Sequence, residues 1–301
     1  MEQSLISTHL DEIGTPVRGK VRDIYKSENT LLLISCDRIS VFDQILPNPI
    51  QDKGKVLNLL SKYWFENTKD IVQNHLISVP DPNAMIVRLC RPLPIEVVVR
   101  GYLAGSIWRD YASGKRMKSG ASLPEGLEKH APLPSPIITP TTKSPSGHDT
   151  DITPDEIIKS NIVSKELWDQ IEKVSHRLFL RGTERLNARG MTLVDTKYEF
   201  GIDNEGKLTL IDEVHTPDSS RFWFQNDRDK QFKDKEYARI WAAEQGFMGE
   251  GKVPEIPDAI REQIRQGYLD IFETVTGSPC PVTEGDIEQR LRLNLAKAGV
   301  L

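Results

Sequence analysis

Residues 191–221 read MTLVDTKYEFGIDNEGKLTLIDEVHTPDSSR, and this stretch predicts two β-strands joined by a polar turn. Apolar and polar side chains alternate along its first half, which is typical of a strand whose two faces meet different surroundings. The turn at residues 203–206 is rich in residue types that tolerate a positive φ angle. One face of the first strand then presents successive charged side chains, Asp195, Lys197 and Glu199.

The predicted register of this hairpin adds a third carboxylate to the charged face. An even-numbered loop pairs Ile202 with Lys207, which places Asp212 opposite Lys197. Three carboxylates and one ammonium on one face repel one another, form ion pairs or hold a cation. A magnesium–nucleotide site needs such a group, with carboxylates for the metal and a lysine for phosphate charge. The alternative is a solvated hairpin face with a surface ion pair, the usual state of an antiparallel sheet.

The composition of the chain argues against several classes of protein. Its 301 residues are enough for two domains, and no apolar run is long enough to predict a transmembrane helix. The net charge of −5 argues against a general nucleic-acid binder. Residues 1–14 contain acids and no apolar core, so we expect no signal peptide. The cysteines, Cys36, Cys90 and Cys280, form no metal-binding or disulfide pattern and favour the reducing cytoplasm.

Hydrophobic periodicity predicts a β-rich first third followed by a larger mixed region. Strands are expected at residues 17–25, 31–35, 86–89 and 95–99, and helices at 55–67, from Gly105, from residue 153, at 165–189 and at 258–275. The helix start at 153–156 combines a capping threonine, a proline and a capping-box glutamate. Residues 278–301 have no diagnostic pattern.

The segment 113–150 is rich in glycine, proline, serine and threonine. Its prolines predict a break in regular structure, and a structureless segment of this length is either a linker or a functional loop. Its end, residues 139–149, contains binding-type side chains that include Lys143 and His148. We therefore expect an ordered loop that contributes to a site, and we place a domain boundary between residues 112 and 113.

One segment of the first third is a candidate cover for phosphate groups. Along residues 17–25, Gly19 permits close approach of the backbone to a ligand, and Lys20 and Arg22 supply positive charge. A basic, solvent-facing strand is the alternative interpretation.

Two strand ends have polar side chains suited to bind an anion. Asp37 and Ser40 follow the strand at 31–35 and are either turn residues or ligands. Arg100 ends a later strand, and Ser106 opens a helix whose N-terminus is a ready anion site. The alternative for Arg100 is a surface salt bridge.

Taken in order, these segments resemble the SAICAR synthetase family (phosphoribosylaminoimidazole-succinocarboxamide synthases) of purine biosynthesis. The motifs that carry the resemblance are Gly19-Lys-Val-Arg-Asp-Ile-Tyr25, Asp37-Arg-Ile-Ser40, Lys53-Gly54, Pro94-x-Glu96-Val-x-Val-Arg100, Gly105-Ser106, the loop at 139–149, Asp195-Thr-Lys-x-Glu-Phe-Gly201 and Asp212-Glu-x-x-Thr-Pro-Asp-Ser-Ser-Arg-x-Trp223. The length and the long loop are similar to those of the longer, yeast-type members.

The resemblance implies an α+β fold of two domains. A β-rich N-terminal domain, similar to the small lobe of protein kinases, would cover ATP in a cleft, and a larger α/β domain would complete the site. The implied reaction is the ligation of L-aspartate to carboxyaminoimidazole ribonucleotide (CAIR), with ATP and Mg²⁺. Phosphorylation of the CAIR carboxylate would give an acyl phosphate, from which the aspartate amine displaces phosphate. We expect a cytoplasmic monomer or small homo-oligomer with no nucleic-acid or membrane partner.

The resemblance also implies residue roles, motif by motif. ATP would be bound by Gly19, Lys20, Arg22, Glu96, Glu199 and Asp212, and the last two would hold Mg²⁺. The ribonucleotide would be bound by Asp37, Ser40, Arg100, Ser106, Asp218 and Arg221. The reacting groups would face Asp195, Lys197, Lys143 and His148. A kinase-like phosphotransferase with another acceptor and a non-catalytic nucleotide-binding module are the competing functions.

Overall fold

The first lobe is a five-stranded antiparallel sheet with the helix Lys53–Thr68 packed against it, and the last helix of the chain also packs on this sheet. The structure is a computed structural model, described here for residues 4–143, 150–226 and 232–301. The elements of this lobe are β1 (Val17–Arg18), β2 (Arg22–Lys26), β3 (Thr30–Ser35), β4 (Ser40–Val41), β5 (Gln44–Ile45), α1 (Lys53–Thr68), β6 (Leu76–Asp81) and β7 (Ala84–Arg88). The sheet has the strand order β1-β2-β3-β7-β6, and β4 and β5 form a separate hairpin.

The second lobe is built on a six-stranded sheet whose centre consists of two long strands. The remaining elements of the chain are β8 (Arg91–Tyr102), α2 (Gly105–Ala112), β9 (Met117–Lys118), β10 (Ala121–Ser122), β11 (Pro132–Thr142), β12 (Thr150–Asp151), α3 (Pro154–Lys159), α4 (Lys165–Asn187), β13 (Met191–Ile202), β14 (Leu208–Ile211), β15 (Ser220–Phe224), α5 (Lys235–Glu244), α6 (Asp258–Thr276) and α7 (Ile287–Lys297). The sheet order is β12-β11-β8-β13-β14, and β15 pairs with the first half of β13. α4 packs against β13.

The hairpin predicted at residues 191–214 forms, but its register differs by one residue from the prediction. The loop has five residues, so Ile202 pairs with Leu208 rather than with Lys207. Asp203 accounts for the longer loop, because its Oδ1 accepts two backbone N–H groups within the loop, at 3.0 and 2.9 Å.

Asp212 nevertheless reaches the charged face of β13. A shift of one residue in register moves every side chain of a strand to the opposite face. Asp212 lies just beyond β14, however, in a left-handed conformation with φ 66°. This turn brings its Oδ2 within 3.5 Å of Lys197 Nζ. The prediction of the face is therefore confirmed although the predicted register is wrong.

The proline-rich segment is not structureless, so this expectation is wrong for residues 132–142. β11 occupies that range and pairs with β8 in the main sheet. In the described part of the chain, β12 pairs with β11 only at Thr141 and Thr142, which leaves most of the outer edge of β11 unpaired. Proline has no N–H group to donate to a neighbouring strand. At a sheet edge the proline nitrogen can face the unpaired side, which explains why the prolines are tolerated.

The predicted helices form close to their expected limits. α1, α2, α4 and α6 match the periodic segments, and the capping box at Thr153 and Glu156 starts α3. Gly277 ends α6 in the left-handed conformation that a helix stop requires. The sequence did not predict α5. Within the described ranges, no helix has the length and apolar character of a membrane span.

The last helix returns to the first lobe. Leu291 and Leu295 of α7 are buried in a core cluster together with side chains of β2 and β3. The guanidinium of Arg290 donates to both carboxylate oxygens of Asp81 at the end of β6, at 3.0 and 3.1 Å. Residues 278–301, which had no diagnostic sequence pattern, therefore include a helix that packs on the first sheet.

The pairing of β8 bears on where the two lobes divide. β8 is hydrogen-bonded to β11 on one side and to β13 on the other, so it belongs to the six-stranded sheet. A boundary at residue 112 separates these paired strands. We propose that the lobes divide near residue 90, before β8.

Candidate active site

The ammonium group of Lys197 lies among three carboxylates. Its Nζ is 3.3 Å from Glu96 Oε1 and 3.5 Å from Asp212 Oδ2, and it also pairs with Glu199. β13 supplies Lys197 and Glu199 on one face, and Glu96 comes from the neighbouring strand β8. The second oxygen of Glu199 accepts from Lys143. We call these five residues the Lys197 cluster. The sequence predicted Lys197, Glu199 and Asp212 on one face together with Asp195, but the structure places Glu96 and Lys143 beside them and pairs Asp195 with Arg100 and Arg221 instead.

Arg22 connects the first lobe to the Lys197 cluster. From β2, its guanidinium donates to Asp212 and, at 3.2 Å, to Glu213 Oε2. Burial opposes the ionisation of Asp212, but the surrounding cations, Arg22 first, outweigh burial and hold the pKa of this carboxyl below its usual range. Burial also disfavours the charge on Lys197, yet the neighbouring carboxylates raise its pKa well above the ordinary value. Both groups are therefore charged at neutral pH.

The oxygen donors of the Lys197 cluster fit magnesium that is bound together with a nucleotide. Mg²⁺ keeps several water ligands and usually takes only one or two protein carboxylates in addition to substrate phosphates. No group of three metal-ligating His, Cys, Asp or Glu side chains assembles among the residues described. Glu199 and Asp212 could supply the two carboxylates for such an ion, and Lys197 and Arg22, which pair with them, could neutralise phosphate charge.

A second cluster is centred on Asp195 of β13, four residues before Glu199. In it, two guanidinium groups share the Asp195 carboxylate. Arg221 Nη1 is 2.8 Å and Arg100 Nη1 is 3.5 Å from the same oxygen, Asp195 Oδ2. Arg100 Nη2 also donates to Ser106 Oγ at 3.3 Å. We call Arg100, Ser106, Asp195 and Arg221 the Arg100 cluster. The sequence placed all four in the site, and the structure brings them together.

The Arg100 cluster has the features of an anion site. Gly105 has φ 62°, and a Cβ there would lie 2.6 Å from the Arg221 guanidinium, so glycine alone permits this approach. No side chain caps α2 at Ala104, and a helix N-terminus with uncapped N–H groups attracts anions. Within the described chain, Arg221 Nε is buried without a hydrogen-bond partner, an arrangement that a bound phosphate or carboxylate would satisfy.

Asp218 joins two lysines to which sequence reasoning gave no role. Asp218 Oδ2 is 2.8 Å from Lys53 Nζ and 3.7 Å from Lys235 Nζ, and Oδ1 accepts from Tyr268 Oη at 2.7 Å. Lys235 Nζ also donates to Ser40 Oγ at 3.3 Å, which places the predicted Ser40 beside this group. Burial lowers the pKa of Lys235 to about 8 although Asp218 opposes the shift. The Lys53-Gly54 motif was the one sequence signal for Lys53.

Asp37 has contacts that favour a positioning role over direct ligand binding. Its side chain is buried, and its two oxygens accept the backbone N–H groups of Leu5 and Gly54, at 2.9 and 2.8 Å. The second bond holds the start of α1, which carries Lys53. Burial raises the pKa of Asp37 to about 6, and these two hydrogen bonds limit the rise.

The remaining predicted residues lie apart from both clusters or outside the described ranges. Lys20 pairs with Asp43 at 2.5 Å on the surface. The N–H group of Gly19 donates to the carbonyl of Arg22 at 2.8 Å and closes the turn before β2. Among these three predicted phosphate-binding residues, only Arg22 contacts the Lys197 cluster in the described structure. His148 lies outside the described residues.

Together, the two clusters define a class of enzyme. A carboxylate pair with adjacent lysines binds a metal–nucleotide complex, and paired guanidiniums at a helix N-terminus bind a second anion. The Lys197 cluster lies where Arg22 of the five-stranded lobe meets the six-stranded sheet, and the Arg100 cluster lies on the same strand, β13. The class is therefore an ATP-dependent enzyme that acts on an anionic substrate.

The chain belongs to the SAICAR synthetase family, whose model matches residues 15–255. A phosphoribosylaminoimidazole-succinocarboxamide synthase of Cytophaga hutchinsonii is 43% identical over 293 residues, which cover 93% of this chain and 94% of the relative. The enzyme of that name from Flavobacterium psychrophilum is 43% identical over 272 residues, which cover 86% of each chain.

Solved structures agree with this assignment. The SAICAR synthase of Saccharomyces cerevisiae complexed with SAICAR is 33% identical, has a TM-score of 0.81 and is matched over 92% of this chain and 99% of its own. A type-2 SAICAR synthetase in complex with ADP is 26% identical, with a TM-score of 0.71 over 89% of this chain and 100% of its own. The predicted family, α+β fold and ATP and Mg²⁺ cofactors are confirmed. The chain is an ATP-dependent C–N ligase that joins L-aspartate to CAIR in purine biosynthesis.

Proposed function

We propose that the chain divides this ligation between the two clusters on β13. The Lys197 cluster would receive ATP and Mg²⁺, and the Arg100 cluster would receive the phosphate of CAIR. The supporting observation is that Asp195 and Glu199, which belong to different clusters, lie four residues apart on one strand face. One substrate that extends along this face can therefore present its reacting carboxylate to a nucleotide.

In the first step, a carboxylate oxygen of CAIR attacks the γ-phosphorus of ATP, an acyl phosphate forms and ADP leaves. Glu199 and Asp212 would hold Mg²⁺, which when bound would neutralise phosphate charge. Lys197 and Arg22 stabilise the negative charge that develops during transfer. Lys143, which pairs with Glu199, lies at the same place, whereas its predicted neighbour His148 lies outside the described residues.

In the second step, the aspartate amine attacks the acyl carbon, phosphate leaves and the amine loses a proton. A free α-amine with a pKa near ~8 is already partly neutral at physiological pH, so no strong base is required. Positioning then dominates, with effective molarities of order 10⁵ M available. Lys235, which is only partly buried, would add positive charge near the anionic substrates, whereas the fully buried Lys53 pairs with Asp218.

Separate titrations of the two ligands test this division. Calorimetry would measure the affinity for Mg·ADP and for CAIR in each variant. Glu199→Gln should lose Mg·ADP affinity and keep CAIR affinity, whereas Arg100→Ala should show the reverse. The same loss of both ligands in both variants, with unchanged melting temperatures, would contradict the division.

We further propose that the enzyme works in the cytoplasm as a monomer or small homo-oligomer, with no nucleic-acid or membrane partner. All three cysteines are free thiols, which suits a reducing compartment. The acidic net charge of −5 disfavours nucleic acid as a partner. Light scattering after size-exclusion chromatography measures the oligomeric state, and cell fractionation tests the location.

A further inference from the structure

The loop between β14 and β15 carries acidic residues of the site on both sides of one buried histidine. Asp212 precedes His215 and Asp218 follows it. His215 is fully buried and has φ 46°. This left-handed conformation is unfavourable for a residue other than glycine, so it persists only where surrounding contacts hold it. The contacts of His215 therefore help to fix the path of the loop.

Three elements enclose the His215 ring. Its Nε2 lies 2.5 Å from Tyr198 Oη on β13, and its ring meets Trp64 of α1 edge-on, with 4.6 Å between the centroids. On α4, a Cβ at Gly182 would lie 2.5 Å from His215 Cε1, so this helix position has room only for glycine. Burial lowers the pKa of His215 to about 3, so the ring is neutral at physiological pH.

Besides packing in the core, His215 provides a hydrogen bond to Tyr198. His215 Nδ1 is buried and has no hydrogen-bond partner in the described chain. An apolar side chain of similar size would remove this unpaired nitrogen, but it would leave the buried Tyr198 hydroxyl without its partner. Burial of the unpaired Nδ1 destabilises the protein, and we infer that the hydrogen bond between Nε2 and Tyr198 offsets this by serving a function.

That function follows from the place of Tyr198 on β13. Tyr198 stands between Lys197 and Glu199, and its side chain points to the opposite, buried face of the strand. The bond therefore ties the loop that carries Asp212 to the strand that carries Glu199, from behind the site. Neither Tyr198 nor His215 belongs to the Lys197 cluster.

We propose that Tyr198 and His215 are positioning residues that set the placement of Asp212 relative to Glu199, and hence the affinity of the site for a nucleotide-bound divalent cation. The inference rests on the proposed assignment of these two carboxylates to Mg²⁺. A rigid pair of carboxylates binds a small cation more tightly than a pair that must first be ordered, since ordering costs conformational entropy.

Tyr198→Phe is the sharpest test, because it removes one hydroxyl and keeps the ring. Binding of Mn²⁺ to the enzyme–ADP complex, followed by the electron paramagnetic resonance of free Mn²⁺, is the readout. We expect the affinity for Mn²⁺ to fall about fivefold, the value of one ordinary hydrogen bond, with CAIR affinity unchanged. Tyr25→Phe is the matched control: this buried tyrosine also bonds through its hydroxyl, to Thr8 at 3.0 Å, but lies in the first lobe. It should keep the wild-type affinity for Mn²⁺.

Variants of His215 test the other half of the pair. His215→Leu should weaken Mn²⁺ binding as Tyr198→Phe does. His215→Gln, whose amide can donate to or accept from the Tyr198 hydroxyl, should restore much of it. Adding Tyr198→Phe to His215→Leu should cause no further loss, because the two residues act through one bond. If His215→Leu fails to fold, Tyr198→Phe decides alone.

The outcomes separate this inference from the proposed function. If Asp212→Asn leaves Mn²⁺ binding unchanged, the carboxylate assignment itself fails. If Asp212→Asn weakens Mn²⁺ binding but Tyr198→Phe changes only the melting temperature, as Tyr25→Phe does, the positioning role is overturned and the assignment stands.

Discussion

The Lys197 cluster and the Arg100 cluster lie on the same strand but have opposite excess charges. In the Lys197 cluster, three carboxylates meet two ammonium groups, those of Lys197 and Lys143, whereas in the Arg100 cluster one carboxylate, that of Asp195, is shared by two guanidiniums. A local excess of carboxylate suits a cation, and a local excess of guanidinium suits an anion. The difference shows that alternation along a strand selects which side chains face a cleft, while partners from neighbouring elements decide which charge the cleft accepts.

The largest effect is expected from a change in the carboxylate-rich cluster. Asp212→Asn keeps the side-chain shape and tolerates the left-handed backbone, but removes the charge. We expect kcat to fall by about 10³-fold or more, since charge stabilisation of this kind is worth several kcal/mol. ADP release at saturating substrates measures the effect.

Stability serves as the control for Asp212→Asn. Arg22 keeps Glu213 as a partner, and Lys197 keeps Glu96 and Glu199. The fold should therefore persist, with a modest fall in melting temperature, because the lowered pKa of Asp212 means that its ionised form stabilises the folded protein. A kcat close to that of the wild-type enzyme would exclude Asp212 as an essential metal ligand.

The next effect is expected in the guanidinium-rich cluster, and on binding rather than on turnover. Arg221→Ala should raise the KM for the ribonucleotide by about 10²-fold, because a buried charged hydrogen bond is worth roughly 2–3 kcal/mol. Steady-state kinetics with varied CAIR measure this change. Arg239→Ala is the control, because Arg239 pairs with Glu236 as Arg221 does but belongs to neither cluster. An unchanged KM in Arg221→Ala would remove this residue from the site.

A third variant asks whether buried charge outside both clusters serves only the fold. Arg290→Ala leaves the buried carboxylate of Asp81 without its guanidinium partner, although Asn294 still donates to it. We expect the free energy of unfolding to fall by about 2 kcal/mol, with KM and kcat nearly unchanged. Urea unfolding and steady-state kinetics provide the two measurements. A large loss of kcat without loss of stability would link α7 to catalysis.

The smallest effect concerns the pH dependence of stability through Lys235. Its pKa of about 8 lies below the ordinary 10.5, so between these values the unfolded chain binds more protons than the folded one. The free energy of unfolding therefore rises with pH in this window by up to about 1 kcal/mol per pH unit through this residue. Lys235→Met should lose that rise. Parallel profiles of the two proteins in urea unfolding would show that Lys235 keeps its ordinary pKa when folded.

The sequence reveals those parts of the site that depend on local rules. Alternation along a strand places Asp195, Lys197 and Glu199 on one face without knowledge of the rest of the fold. The position of Asp212 depends on the turn at Asp203 and on a left-handed backbone, so the correct face was predicted from an incorrect register. Local sequence pattern therefore predicts which residues face the site more reliably than it predicts the strand register and backbone conformation that place them there.

Contacts between distant segments could not be predicted in the same way. Lys53 and Asp218 are 165 residues apart, and Arg290 and Asp81 are 209 apart, and no local pattern indicates such partners. The prolines of residues 132–142 wrongly predicted a break in regular structure for a related reason. Whether a proline breaks a strand depends on which side has a neighbouring strand, and that is decided by the sheet as a whole.

The continuity of β13 has a consequence for the substrates. Four residues of extended strand span about 13 Å, and pairing within the sheet keeps the separation between Asp195 and Glu199 fixed. A movement between the lobes leaves this spacing unchanged and alters the contacts that cross between the lobes, such as those of Arg22 with Asp212 and of Lys53 with Asp218. We therefore expect the enzyme to select its ribonucleotide by length as well as by charge.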